Sequence, residues 1–275
     1  MTDSTANKLA TLRHILSKMD STAVAVSGGV DSLTLAVVAN RLLGPARCEI
    51  FHAVSPAVPI AATRRVQALA RLENWKLSII DAEEFSDDHY VSNPVNRCFY
   101  CKSNLYASIG NCTKKQIISG TNADDLGEYR PGLQAAEKFL VRHPYVEAGI
   151  AKVDLREFAC FLGLPEIAAL PSSPCLASRV ETGIGIRAAA LAVIDSAEQL
   201  VIQEINPQAV RCRLRKQGIV IELDQVSMNR LTAEQEGKLK QQVNVMFAAL
   251  DMELEVQFAL YRSGSAFIGI KHESI

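Results

Sequence analysis

The chain has 275 residues, 48% hydrophobic and 21% charged, with 29 basic against 30 acidic side chains for a net charge of -1. This length suits one large domain or two modest ones, with two expected, and the composition excludes disorder and fibrous repeats. The even charge balance gives no general drive toward nucleic acid, and the longest apolar stretches, such as Ile15-Leu16 and Ala188 to Ile194, are broken by charge before membrane-spanning length, so neither partner is expected.

Lys8, Arg13 and Lys18 are spread among apolar residues at helical spacing, so residues 1–20 read as a first helix and not as a signal peptide. Seven cysteines without an export signal point to a reducing, cytoplasmic setting. Thr22 to Val26 is a β-branched apolar run followed by a glycine turn and a helical stretch from Leu33 to Leu43. Cys48 to Val54 predicts a second strand, Ala61 to Asn74 a helix, Lys76 to Ile80 a third strand and Lys115 to Ser119 a fourth. Strands alternating with helices imply an α/β fold with a parallel sheet covered on both faces.

Asp154 to Leu162 predicts an amphipathic helix stopped by Gly163, with Pro165 just beyond. The stretch from Pro171 to Arg179 is too rich in turn formers to be regular, which sets a domain boundary near 180. The expected division is a first domain over residues 1–180 and a second, smaller α+β domain over 181–275. The second should hold helices over Ala188–Glu204 and Ala233–Leu250, paired strands over Ala209–Arg215 and Ile219–Leu223, and two further strands over Glu253–Leu260 and Ala266–Lys271.

Ser27-Gly-Gly-Val-Asp-Ser32 falls where the first strand gives way to a helix, a position whose backbone N–H groups favour an anion. Gly28 and Gly29 allow a tight turn and close approach of phosphate oxygens, Ser27 and Ser32 offer hydroxyls, and Asp31 suits a Mg²⁺ that bridges phosphates. The hexapeptide lacks the lysine of a Walker loop and matches the PP-loop pattern SGGxDS, which resembles the signature of enzymes that cleave ATP between its α and β phosphates. Ser119 to Gly127 follows the fourth strand and should lie at the same sheet edge, with Gly120 allowing close approach of the nucleotide. Asp124 and Asp125 are either an acidic pair at a helix start or orient substrate or metal.

Cys98 and Cys101 form a C-x-x-C turn, and Cys175 lies in the proline-rich segment. Three thiolates suit an incomplete zinc site or an iron–sulfur cluster with one open iron; spacing does not choose between them, and a thioredoxin-like pair ranks lower. Cys48, Cys112, Cys160 and Cys212 are expected to be small buried hydrophobes. Arg211, Arg213 and Arg215 alternate with Val210, Cys212 and Leu214, so a strand would place three guanidiniums on one face without interleaved acids. A solvated face is the default, and a substrate phosphate at Arg211 and Arg213, with Ser178 and Arg179 near Cys175, is the functional alternative. Trp75 and the five histidines show no ligand spacing.

Together these residues resemble the LarE-type sulfur transferases of the PP-loop ATP pyrophosphatase superfamily. The likeness runs through the loop, Arg97-Cys-Phe-Tyr-Cys-Lys102, Gly120 to Gly132, Pro144 to Gly149 and Pro174-Cys-Leu-Ala-Ser-Arg179, about the first two-thirds of the chain. It implies an adenine nucleotide alpha hydrolase-like domain, ATP and Mg²⁺ as cofactors, and a homo-oligomer, commonly a trimer or hexamer. Cys98, Cys101 and Cys175 match the three-cysteine form, whose [4Fe-4S] cluster carries the transferable sulfide. The implied reaction adenylates a carboxylate of pyridinium-3,5-biscarboxylic acid mononucleotide, releases pyrophosphate and inserts sulfur on the way to the nickel-pincer nucleotide. Where the family continues into Pro-Tyr-Gly, this chain reads Val180-Glu-Thr-Gly-Ile-Gly185, which leaves the acceptor open. The alternatives are a PP-loop thiolase or amidase acting on a tRNA base or another metabolite, and a nucleotide-binding sensor without turnover.

Overall fold

The computed structural model describes residues 2–127, 131–171, 174–252 and 254–268. In chain order these form α1 (Asp3–Ser17), β1 (Thr22–Ala25), α2 (Val30–Leu43), β2 (Cys48–Ala53), α3 (Ile60–Leu72) and β3 (Lys76–Ile80). A short α4 (Asp88–Val91) leads into α5 (Arg97–Cys112), β4 (Gln116–Ser119), α6 (Pro131–Lys138), α7 (Pro144–Glu147), α8 (Lys152–Phe161) and α9 (Pro165–Ala168). The remainder is α10 (Ala188–Ile205), β5 (Val210–Arg215), β6 (Gly218–Leu223), α11 (Gln225–Arg230), α12 (Ala233–Ala248) and β7 (Val256–Leu260). Among the described residues no helix is long and apolar enough to cross a membrane.

The chain divides into two compact units, residues 1–84 with 98–173, and residues 85–97 with 174–275. The first is built on a four-stranded parallel sheet ordered β3-β2-β1-β4. β1 is buried at all four positions, which suits its apolar sequence to the interior of a sheet covered on both faces. On one face Leu12 and Leu16 of α1, Leu33 and Val37 of α2 and Phe158 of α8 join one core; Ala23, Phe51, Tyr106, Ile109 and Ala135 form the other. The chain steps outward from β1 to β2 and β3, then returns to place β4 on the other side of β1. The order therefore reverses between β1 and β4, and the crevice beyond their carboxyl ends is where such sheets bind ligands.

In the second unit β5 and β6 pair antiparallel and β7 joins β6 in parallel. The excursion 85–97 belongs here because Asn93 is built into it: its side-chain amide donates to the carbonyls of Glu181 (2.9 Å) and Ile184 (2.8 Å), and its own carbonyl accepts from Gly183 N. Hence the chain passes between units three times, where one boundary near 180 was expected. Residues 266–268 carry no strand, and the rest of the strand expected over Ala266–Lys271 lies outside the described residues, as does Glu253.

Candidate functional site

The loop between β1 and α2 is a folded element in its own right. Gly28 has φ +83°, a left-handed value that favours glycine, and Gly29 caps α2 in an extended conformation. Ser32 Oγ accepts from Ser27 N at 3.1 Å and donates to Gly29 O at 3.2 Å, so its hydroxyl braces the turn from inside, while Ser27 stays exposed. The opening N–H groups of α2 have no acceptor within their helix and point past this turn. Gly120, at the end of β4, makes the closest approach: a Cβ there would stand 2.8 Å from Ser32 N and 2.9 Å from Asp31 C.

Asp31 is the charged centre of this edge. Its Oδ2 accepts from Lys152 Nζ at 3.2 Å, its backbone carbonyl accepts from the buried Tyr145 hydroxyl at 3.0 Å, and its Oδ1 is buried with no hydrogen-bond partner among the described residues. Burial pushes the Asp31 carboxyl above the ordinary carboxylate value, against the opposing pull of Lys152. Lys152 opens α8, and its backbone N–H is taken by Asp124 Oδ2 at 2.9 Å, while Asp125 Oδ2 accepts from Asn122 N. Asp124 thus secures the start of α8 and, through it, the position of Lys152. Arg65, from α3, donates to Gly28 O at 3.2 Å. Sequence reading missed Lys152, Arg65 and Tyr145; Tyr145 falls in the Pro144 to Gly149 stretch that resembles the family, whereas Lys152 precedes the helix predicted from Asp154 and Arg65 belongs to no motif.

The C-x-x-C pair is not in a turn. Cys98 and Cys101 lie in the first two turns of α5, three residues apart and so on one helical face, both half-buried. Gly132 on α6 faces this turn, since a Cβ there would reach Lys102 Cγ at 3.1 Å and Cys98 O at 3.6 Å. Cys175 belongs to the second unit, where it caps a single 3₁₀ turn, Leu176–Arg179. Among the described residues no group of three or more His, Cys, Asp or Glu is arranged to hold a metal ion. Cys48 and Cys212 are buried as expected, but Cys112 and Cys160 are exposed, falling on outward positions near the ends of α5 and α8.

The arginines of the second unit sit differently from expectation. Arg179 is 2% exposed and forms a two-point pair with Glu198 of α10, at 2.9 and 3.0 Å. Its Nη1 donates to Pro174 O, Cys175 O and Ser178 Oγ. Arg213 is buried against Glu222 (3.0 Å) and donates to Ser178 O, and Arg215 also reaches Glu222. Arg211 donates to Val210 O and stacks on Tyr261. Acids missing from β5 itself are supplied by β6 and α10, so Arg179, Ser178 and Arg213 tie the Cys175 turn together and their donors are turned inward.

The sheet order and the glycine loop at its point of reversal are consistent with a Rossmann-like nucleotide-binding domain. No family model matches the chain. It is 34% identical over 221 residues to the uncharacterized protein slr1717 of Synechocystis sp., covering 79% of this chain and 81% of that protein, and it belongs to that protein's family. It is also 28% identical over 244 residues to the uncharacterized protein MJ0830 of Methanocaldococcus jannaschii, covering 87% of this chain and 90% of that one. A partial match, 28% identical over 163 residues and 58% of this chain, is to the pyridinium-3,5-bisthiocarboxylic acid mononucleotide synthase of Lactiplantibacillus plantarum, of which it spans 59%. This likeness is to a LarE-like enzyme and supports a transferase at the family level.

Proposed function

We propose that this chain is an ATP-dependent sulfur transferase of the LarE-like kind, whose first unit is a PP-loop domain that adenylates a carboxylate and releases pyrophosphate. The observation that carries the reading is Asp31, a loop carboxylate with one oxygen on Lys152 and the other buried and unpartnered. A buried oxygen without a partner costs on the order of 1–3 kcal/mol, which a bound cation would relieve. Asp31 would hold Mg²⁺, which supplies charge neutralisation along the phosphates.

The loop's N–H groups and Ser27 would cradle the phosphates, and Gly120 would let β4 close on them. As the substrate carboxylate oxygen bonds to the α-phosphorus, the bond from that phosphorus to the bridging oxygen breaks and pyrophosphate departs; Lys152, 3.2 Å from Asp31, would follow the charge. Cys98 and Cys101, with Cys175, would hold a [4Fe-4S] cluster, which when bound supplies the sulfur that replaces AMP. Two half-buried thiols on one helical face fit part of that donor set. Arg179 would fix the backbone around Cys175 instead of binding substrate. The acceptor, following the relative's printed product, would be the corresponding pyridinium biscarboxylate mononucleotide.

The test is twofold. Protein purified without oxygen should contain about four irons per chain, lost in Cys175→Ala. With Mg-ATP and the biscarboxylate it should yield AMP and pyrophosphate. Iron-free protein after reconstitution would remove the cluster, and ADP with phosphate as products would remove the adenylation.

A further inference from the structure

α3 packs its opening turns on the glycine loop: a Cβ at Gly28 would meet Ala62 O at 2.9 Å and Ala62 Cβ at 3.0 Å. One turn further along, Arg65 is half-buried and donates from Nη1 to Gly28 O at 3.2 Å. Burial pushes its guanidinium below the ordinary arginine value, and among the described residues no acid offsets it. Of the other described arginines of the first unit, Arg13, Arg64 and Arg71 are exposed to water and four have partners of their own. Glu73 and Glu147 raise Arg41 and Arg142. Arg47 spends two groups on the carbonyls of Met19 and Asp20, and Arg156 two on those of Ala168 and Leu170. Arg65 spends one of five N–H donors, on the very loop that offers backbone donors to an anion. A partly desolvated guanidinium is unfavourable without acceptors, and its planar fork matches phosphate oxygens two at a time.

We propose that Arg65 grips the pyrophosphate portion of ATP at the loop, an inference that rests on the ATP reading above. The terminal phosphates carry most of the nucleotide's charge and are the part that leaves. A fixed cation there binds the ground state and stabilises charge gathering on the bridging oxygen as its bond to the α-phosphorus breaks. AMP has neither β nor γ phosphate, so the contact distinguishes ATP and pyrophosphate from AMP.

The experiment titrates ATP, inorganic pyrophosphate and AMP calorimetrically into the wild-type, Arg65→Gln and Arg65→Lys proteins, with circular dichroism as the fold control. Arg65→Gln should weaken ATP and pyrophosphate by about ten- to a hundredfold and leave AMP unchanged. Arg65→Lys, which keeps the charge but not the fork, should recover part of the loss in a folded background. Equal pyrophosphate affinity in wild type and Arg65→Gln, or an equal loss for AMP, overturns the proposal. Wild-type protein that binds neither ATP nor pyrophosphate overturns the ATP reading and this inference with it.

Discussion

The loop edge of the first unit and the arginine cluster of the second both gather charge, yet they use it in opposite ways. The guanidiniums of Arg179 and Arg213 are matched: Glu198 and Glu222 take the charges, backbone carbonyls and the Ser178 hydroxyl take further donors, and the pairs are nearly solvent-free. Around Asp31 the groups are left incomplete, with one carboxylate oxygen buried and unpartnered, Lys152 more than a third exposed, and Arg65 making a single bond. A closed network fixes one conformation and has no capacity for a ligand. An open one costs stability in the free protein and is retained where a ligand completes it.

The sharpest way to break this contrast is Glu198→Ala, which strands the buried Arg179 charge. It should cost about 3–5 kcal/mol in chemical denaturation, whereas replacing Arg179 and Glu198 together with apolar residues of similar volume should recover most of that loss. Next comes Gly120→Ala, whose methyl group collides with loop backbone instead of a yielding side chain. It should cost about 1–3 kcal/mol and weaken ATP binding, read by thermal unfolding and titration on the same samples.

Asp224 offers a smaller, pH-dependent test within the second unit. Burial raises its carboxyl, but Ser227 and the backbone N–H groups of Ser227, Ala209 and Gln208 outweigh that and hold it at about 2. A depressed carboxylate stabilises above its unfolded value, near 3.8, and that contribution is lost as pH falls through about 2. Asp224→Ala should therefore cost about 1 kcal/mol at neutral pH, with the penalty shrinking between pH 4 and 2. The smallest effect belongs to Lys152→Met: its pair with Asp31 is partly exposed, so stability should move by under about 1 kcal/mol, in contrast to Glu198→Ala.

Much of the first unit is legible in the sequence because its signals are local. The apolar run at Thr22, the glycines that follow and the helix from Leu33 are neighbours along the chain, and a parallel sheet follows from strand–helix alternation. What was illegible depends on distant partners. Strand alternation reveals that Arg211, Arg213 and Arg215 share a face, but not that Glu222 pairs with Arg213 and Arg215 there while Glu198 pairs with Arg179. The excursion 85–97 carries no composition shift; contacts with distant residues assign it to the second unit, among them the bonds of Asn93 to residues 88 and 91 positions away and the bond from Ile186 N to Val91 O. Arg65 meets Gly28 across 37 residues and Lys152 meets Asp31 across 121, so neither pairing leaves a motif. The start of α5 is helical where the cysteine spacing suggests a turn, because that spacing says nothing about the backbone conformation.

Titration of ATP with and without Mg²⁺ into the wild-type and Asp31→Asn proteins tests most directly whether Asp31 is an incomplete cation site on a nucleotide loop. Wild type should bind ATP more tightly with Mg²⁺ than without, and Asp31→Asn should lose that difference while remaining folded. An Mg²⁺ dependence that survives in Asp31→Asn, or no ATP binding by the wild type, would contradict it.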